Sequence, residues 1–90
     1  MKIEQTAEAT HVLIREARTP GAWGKGKTVA EAAKNVRANG ARNGCVSYIM
    51  AVDADAYIDD MGDLQRTHRG PIYKGKLHNT GVTITEKDRD

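Results

Sequence analysis

The stretch GAWGKGKT, residues 21–28, carries residue types that could bind a phosphate group. It fits the pattern G-x-x-x-x-G-K-[ST], in which glycine amides surround phosphate, a lysine contacts its oxygens and a hydroxyl contacts magnesium. Lys27 and Thr28 would take the last two roles. A second piece, YIMAVD, is an apolar run that closes on Asp53, whose carboxylate could steady the metal.

These two pieces resemble the Walker A and Walker B elements of P-loop nucleotide-binding proteins. The resemblance implies a nucleoside triphosphate against Lys27, with magnesium near Thr28 and Asp53. The P-loop fold needs a parallel sheet covered by helices on both faces, and each crossover takes a dozen or more residues. A chain of 90 residues with one convincing helix is too short for it. We therefore interpret the match as coincidental and keep a nucleotide-binding P-loop protein as an alternative.

The same segment could also bind a phosphate group without the P-loop fold. Glycine-rich amides that lead into a helix N-terminus attract phosphate, and nearby lysines and arginines add positive charge. The single tryptophan could stack on a base, although packing is its favoured role in a chain without phenylalanine. The predicted partner- or phosphate-binding residues are Lys25, Lys27, Lys34, Arg37, Arg42 and Trp23.

An acidic segment, DADAYIDDMGD at residues 53–63, is the second charged feature. A calcium loop of the EF-hand type needs a ligand and then a glycine where this chain has Tyr57 and Ile58. The histidines and Cys45 also lack metal-ligand spacing, so we predict no metal, no cofactor and no catalytic residue. The acidic patch offered to a basic partner consists of Asp55, Asp59, Asp60 and Asp63.

Size and composition limit what the chain can build. Residues 1–90 make one small domain, in which segments 1–8 and 79–90 are expected to fray. Hydrophobic residues are 39% and charged residues 29% of the sequence, as in folded soluble domains. We find no signal-peptide pattern and no apolar run of about 18 residues, and Cys45 has no disulfide partner, so the sequence predicts a cytoplasmic protein.

The net charge of +2 conceals an uneven distribution of charge along the chain. Residues 11–42 hold seven Lys or Arg and two Glu, whereas residues 43–65 hold five Asp and no base. Residues 66–76 are again basic, with four Lys or Arg and no acid. These groups predict separate basic and acidic surfaces, unless the fold brings them together.

One helix is clearly indicated over residues 29–39. Thr28 is a suitable N-cap, Glu31 completes a capping box three residues later, and Gly40 is a suitable C-cap. The side chains of its buried stripe are small, so the helix can lie close to a sheet. These residues are Val29, Ala32, Ala33 and Val36.

Alternating or continuous apolar residues predict the strands. A first strand covers residues 11–18, and residues 45–52 form a central strand that pairs with 56–61 in a hairpin. Residues 71–77 are expected at an edge, with a weaker strand at 82–85. The predicted fold is α+β, with a single helix packed on an antiparallel sheet of three to four strands in the order β-α-β-β-β.

Two further resemblances concern the helix and the layout. The stretch GKTVAEAAKNV resembles the helix start of HicB-type antitoxins, G-x-T-x-x-E-A-x-x-N, which implies toxin binding. The matching residues are Gly26, Thr28, Glu31, Ala32 and Asn35. The layout of strand, capped helix and hairpin in a very short chain is similar to small phage-encoded anti-CRISPR proteins. That similarity implies a non-enzymatic inhibitor that blocks the nucleic-acid path of an effector complex.

The leading hypothesis from the sequence is a small non-enzymatic binding protein, plausible for a phage or mobile element. It would inhibit or modulate a larger protein or ribonucleoprotein by surface docking, because so thin a domain cannot enclose a substrate. The alternative is a nucleic-acid-binding module that uses the glycine and lysine loop and the basic helix side. No membrane partner is expected, and an edge strand at residues 71–77 could pair two copies in a homodimer.

Overall fold

The computed structural model describes residues 3–18 and 22–89 and places seven strands and one helix within them. The elements are β1 (His11–Glu16), β2 (Trp23–Gly26), α1 (Val29–Ala38), β3 (Val46–Val52), β4 (Tyr57–Ile58), β5 (Leu64–Gln65), β6 (Ile72–His78) and β7 (Gly81–Arg89). Five strands form an antiparallel sheet in the order β2-β1-β3-β6-β7. The strands β4 and β5 pair only with each other, in a separate ribbon.

The predicted fold of one helix on three to four strands in the order β-α-β-β-β is therefore wrong. Two strands precede the helix in the described chain, and the main sheet has five strands. The glycine segment that the sequence places in a loop forms β2, whose alternate positions Gly24 and Gly26 carry no side chain to show a period of two. Glycine therefore concealed the strand pattern.

The remaining corrections concern which strands pair with each other and how long they are. Residues 71–77 do not form an edge, because β6 pairs with β3 on one side and with β7 on the other. The predicted hairpin of 45–52 with 56–61 is also wrong, since β4 contains two residues and pairs with β5. The weak strand at 82–85 is part of the nine-residue β7. Any edge pairing between two copies would thus use β2 or β7.

Local chemistry fixes both ends of α1. The Thr28 hydroxyl accepts from the Glu31 N–H at 3.1 Å, and the Glu31 carboxylate accepts from the Lys27 N–H at 3.4 Å. At the other end the C-cap is Asn39, one residue before the predicted Gly40. Gly40 has φ of 108°, and the chain leaves the helix as Ala41 N–H donates back to Val36 O at 3.1 Å. This is a Schellman ending, which glycine favours.

The helix lies directly against β2. A Cβ atom on Gly24 would be 2.6 Å from the carbonyl carbon of Asn35 and 2.8 Å from Val36 Cα. A Cβ atom on Gly26 would be 2.7 Å from Ala32 N. All three distances are shorter than van der Waals contact, so only glycine allows this approach. Gly26, which fits the phosphate-loop pattern, and Gly24 therefore serve helix packing.

Two side-chain amides, from α1 and from its C-cap residue, donate hydrogen bonds to backbone carbonyl groups on the outer edge of β2. Glu16 N–H donates to Ala22 O, so by antiparallel alternation the carbonyls of Trp23 and Lys25 point away from β1. Asn39 Nδ2 donates to Trp23 O and Asn35 Nδ2 donates to Lys25 O, each at 2.7 Å. These two bonds fasten the helix to the strand and cover part of an edge that could otherwise pair with another chain.

The sheet has a hydrophobic core on each face. The face under α1, here called the helix face, buries Val12, Ile14, Ala32, Ala33, Val36, Ile49, Ala51 and Leu77 with several smaller contributions. The opposite face, here called the second face, buries Leu13, Met50, Val52, Ala56, Ile58 and Ile72. Ala56 and Ile58 come from residues 53–70, the segment between β3 and β6, which crosses the second face.

We expect Gly24→Ala to destabilise the protein by roughly 1–3 kcal/mol, the usual cost of overpacking, because the methyl group meets helix backbone. Urea denaturation followed by circular dichroism measures the change. The control is Lys27→Ala at an exposed position, expected within about 0.5 kcal/mol of the wild type. An unchanged Gly24→Ala midpoint would contradict the close approach of α1 to β2.

Candidate functional site

The 53–70 segment is built around two aspartates. Asp53 Oδ1 accepts from the N–H groups of Thr67 and His68 at 2.8 and 3.1 Å, which ties the two ends of the segment together. Burial opposes ionisation of Asp53, but these hydrogen bonds outweigh it, so the pKa of Asp53 lies below its ordinary value. Asp53 therefore organises a loop, and the structure gives it no contact with Lys27.

Asp59 has the same role at the tip of the segment. Its carboxylate accepts from the Asp63 N–H, the Gln65 side-chain amide and the Met61 N–H, each at 2.9 Å. The bond from the Asp63 N–H, followed by that from Gln65, lowers the pKa of Asp59 below its ordinary value. This hydrogen-bond set closes the turn between β4 and β5.

Two cations of the sheet attach this segment to the second face. The Lys25 ammonium donates to the carbonyl oxygens of Ala54 and Ala56, the latter at 2.9 Å. Arg15 Nη1 donates to Gly62 O at 3.1 Å. Both side chains point to this face because Lys25 pairs with Leu13 in the register, and Arg15 lies two residues further along β1. The segment is thereby held over the half of the face around Leu13.

Beside these contacts the second face holds a row of aromatic and basic side chains, and Arg15, one of the two anchors, belongs to it. Strand register places Trp23 beside Arg15, Arg15 beside Tyr48, and Tyr48 beside Lys74. We call Trp23, Arg15, Tyr48 and Lys74 the aromatic row. All four side chains are half-buried, so each has a fixed inner part and an outer part in solvent. The row alternates aromatic ring and cation across four strands.

Lys74 completes the row at its outer end. Its ammonium lies 6.0 Å from the centroid of the Tyr48 ring and 3.6 Å from a carboxylate oxygen of Glu86. The Lys74 side chain is 33% exposed, against 60% for Glu86. The distance to the ring is at the limit of a cation–π contact, so the ion pair is the closer constraint on Lys74. Glu86 thus marks the acidic border of the row.

A basic depression adjoins the row at the end of the sheet. It has a volume of about 450 Å³, and three exposed cations, Arg18, Arg42 and Lys76, contribute to its walls. The remaining lining residues are Glu16, Asn43, Gly44, Cys45 and Val46. Val46 lies two residues before Tyr48 on β3, and Lys76 lies two residues after Lys74 on β6. Both therefore share a face with the row. Row and depression therefore form one continuous surface.

The structure divides the six residues predicted to bind a partner or phosphate. Trp23 lies in the aromatic row and Arg42 in the basic depression. Arg37 donates to His78 O at 2.7 Å, and Lys25 is engaged by the 53–70 segment as described above. Lys27 and Lys34 are exposed, but Lys27 precedes α1 and Lys34 lies on its outer side, away from the second face.

The phosphate-loop pattern has a different structural meaning. Gly21, its first glycine, lies outside the described residues, and positions 23–26 form a strand paired with β1. The acidic patch is also divided: Asp59 is engaged by its own turn, whereas Asp55, Asp60 and Asp63 are exposed on the 53–70 segment. Within residues 3–18 and 22–89, no cluster of His, Cys, Asp and Glu could hold a metal ion.

Sequence reasoning missed Arg15, Arg18, Tyr48, Lys74 and Lys76. The apolar strand run 45–52 conceals Tyr48, and residues 71–77 carry their lysines at alternate positions, as a solvated strand also would. Alternation of Lys74 and Lys76 was the available signal, because it places both on one face of β6. Their neighbours on that face depend on strand order, which local pattern does not supply.

Comparison with family models, with curated proteins and with solved structures finds no match for this chain. In the part of the chain that the structure describes, no helix has both the length and the apolar character needed to cross a membrane. The surface geometry is therefore the basis for a functional proposal.

We expect the melting temperature to fall as the pH drops below about 4. Asp53 and Asp59 have lowered pKa values in the folded state, so their stabilisation is present above the unfolded value near 3.9 and is lost as the pH falls through the folded value. Asp59→Asn should flatten this acid limb in thermal melts between about pH 2 and pH 6. Asp60→Asn removes the same charge from the exposed neighbour and should keep the wild-type profile. Identical acid limbs in wild type and Asp59→Asn would contradict the assignment.

Proposed function

We propose that this protein is a small non-enzymatic module that binds single-stranded nucleic acid, alone or as part of a larger ribonucleoprotein. The observation that carries the proposal is the aromatic row, which continues into a depression with three cationic side chains. Single strands are bound by aromatic side chains that stack on bases and by a positively charged path for the phosphates. The second face offers both groups together.

The half-buried state of the two rings supports this role. Trp23 and Tyr48 pack at the margin of the second core, which fixes the planes of their rings before any ligand arrives. A ring that is already ordered loses little conformational entropy when a base stacks on it. They lie on β2 and β3 with β1 between them, two strand spacings or about 10 Å apart. They could thus contact separate bases of one strand.

The positive charges lie where phosphates of such a strand would pass. Arg18, Arg42 and Lys76 are exposed at the rim of the depression, and Lys74 lies in the row. Glu16 also lines the depression but is only 3% exposed, so the surface that a strand meets is dominated by cations. Binding should therefore depend strongly on ionic strength.

This proposal adopts the alternative from the sequence analysis, a nucleic-acid-binding module, but assigns the binding to a different surface. The glycine segment and the outer side of α1 are replaced by the second face and the sheet end. The leading hypothesis from the sequence is docking on a larger protein or ribonucleoprotein. We retain its ribonucleoprotein form, as a setting in which the same surface would contact the nucleic acid. A cytoplasmic location remains part of the proposal, and the single cysteine supports it.

The first test uses charge removal. Fluorescence anisotropy with a labelled single-stranded RNA should give an affinity that falls with salt, and Arg42→Ala/Lys76→Ala should reduce the log–log slope by about 1.4, or 0.7 per charge. The control Lys27→Ala/Lys34→Ala removes equal charge from the predicted loop and helix. If the salt slope fell only in the control variant, the interface would have to be assigned to the loop and α1. Absence of salt-dependent binding to single-stranded RNA or DNA would refute the proposal.

The second test separates stacking from charge. Tyr48→Leu keeps an apolar side chain on β3 but removes the ring, so we expect binding to weaken about 5- to 150-fold, the range for one lost base stack, with the salt slope unchanged. Tyr57→Leu is the matched control, because Tyr57 is 48% exposed on the 53–70 segment. Equal affinities for the Tyr48 and Tyr57 variants would remove the aromatic row from the proposal.

A further inference from the structure

A small slot opens on the second face between the sheet and the 53–70 segment. Its volume is about 110 Å³, and its lining residues are Arg15, Ala17, Tyr48, Met50, Leu64 and Ile72. Met50 and Ile72 are buried residues of the second core, and Leu64 belongs to β5. The slot thus has apolar walls from both layers, and the aromatic row supplies Tyr48 and Arg15.

The dimensions of the slot limit what it can hold. Pockets for whole small-molecule ligands are usually about 300–1,000 Å³, and a water molecule takes about 30 Å³ of liquid. A volume near 110 Å³ is therefore too small for an entire nucleotide but has room for a single flat ring. Apolar walls with one aromatic side chain are suited to such a ring.

The polar groups of the slot define which ring it would accept. Arg15 has five N–H groups and no acceptor, and one of them is donated to Gly62 O at 3.1 Å. This bond fixes the guanidinium at the slot while other N–H groups are left to meet a ligand. At the C4 position of a pyrimidine, a carbonyl oxygen would accept from Arg15, whereas an amino group would place one donor against another.

We infer that the slot is a base pocket, which receives one unstacked pyrimidine of the bound strand and prefers uracil or thymine, with a carbonyl oxygen at C4, to cytosine, with an amino group at C4. The base would lie against Tyr48, and its carbonyl oxygen would accept a hydrogen bond from Arg15. This inference rests on the proposed function, because the depression lined by Lys76 and Arg42 must hold the adjoining phosphates.

The test compares oligouridine with oligocytidine of equal length, since the two bases differ at the edge that Arg15 would read. We expect the wild type to bind oligouridine at least about fivefold more tightly, the discrimination of one lost hydrogen bond. Ala17→Phe should abolish that preference while leaving salt-dependent binding, because the added ring occupies the slot from its exposed rim. Ala30→Phe, at an exposed position of α1, is the matched control and should keep the preference.

A second variant keeps the test decisive if Ala17→Phe does not fold. Arg15→Met keeps a long side chain but removes every N–H donor, so it should lose the uridine preference and lower the salt slope by about 0.7, the value for one charge. Equal binding of the two oligonucleotides by the wild type, or a preference that survives both variants, would overturn the base pocket and leave nucleic-acid binding intact. Absence of binding to either oligonucleotide would refute both proposals together. Sedimentation that gives a dimer, dispersed by Ala17→Phe, would assign the slot to a second copy and overturn the base pocket.

Discussion

One constraint shapes the molecule: a five-stranded sheet has two faces to cover, and residues 3–18 and 22–89 supply one helix and one crossing segment for them. The helix α1 covers the first face, with glycine on β2 to let it lie close. On the second face, Ala56 and Ile58 pack over Leu13, and Gly62 O contacts Arg15. Beside these contacts the second face carries half-buried side chains that tolerate water.

The half-buried side chains of the aromatic row combine apolar and polar parts. Arg15 and Lys74 have long aliphatic stems that lie along the sheet, with the charged ends in contact with Gly62 O and Glu86. Trp23 and Tyr48 bury part of a ring and expose the rest. Solvent tolerance and nucleic-acid binding require the same residue types here. The continuation of the row into the basic depression is what favours binding over simple solvation of a half-covered sheet.

The parts of the fold that depend on neighbours along the chain could be predicted from the sequence. Thr28, Glu31 and Gly40 act within one or two turns of α1. The N-cap prediction is confirmed at Thr28, whereas the Glu31 carboxylate accepts from the Lys27 N–H and not from the N-cap N–H that a capping box uses. The C-cap differs by one residue because Gly40 takes the left-handed position after Asn39. These features need no knowledge of strand order.

Strand order and the composition of the site depend on contacts between distant segments. The position of β6 between β3 and β7 follows from apolar residues on both of its neighbours, and no local pattern in residues 71–77 shows it. For the same reason Trp23 and Arg42 could be proposed from the sequence, whereas Arg15 and Tyr48 became neighbours only through the register of β1 and β3. Glycine at alternate positions hid β2 and at the same time imitated a phosphate loop.

The acidic residues of the 53–70 segment limit the part of the second face on which a nucleic acid would bind under the proposed function. Asp53 and Asp59 bind amides within residues 53–70, so part of the negative charge of this segment stabilises its own turns. Asp55, Asp60 and Asp63 remain exposed on the segment that borders the row. Phosphates would be repelled there and attracted toward Arg42 and Lys76 in the basic depression. Under the proposed function, charge that is grouped in the sequence would direct a polyanionic strand away from residues 53–63 and toward the basic depression.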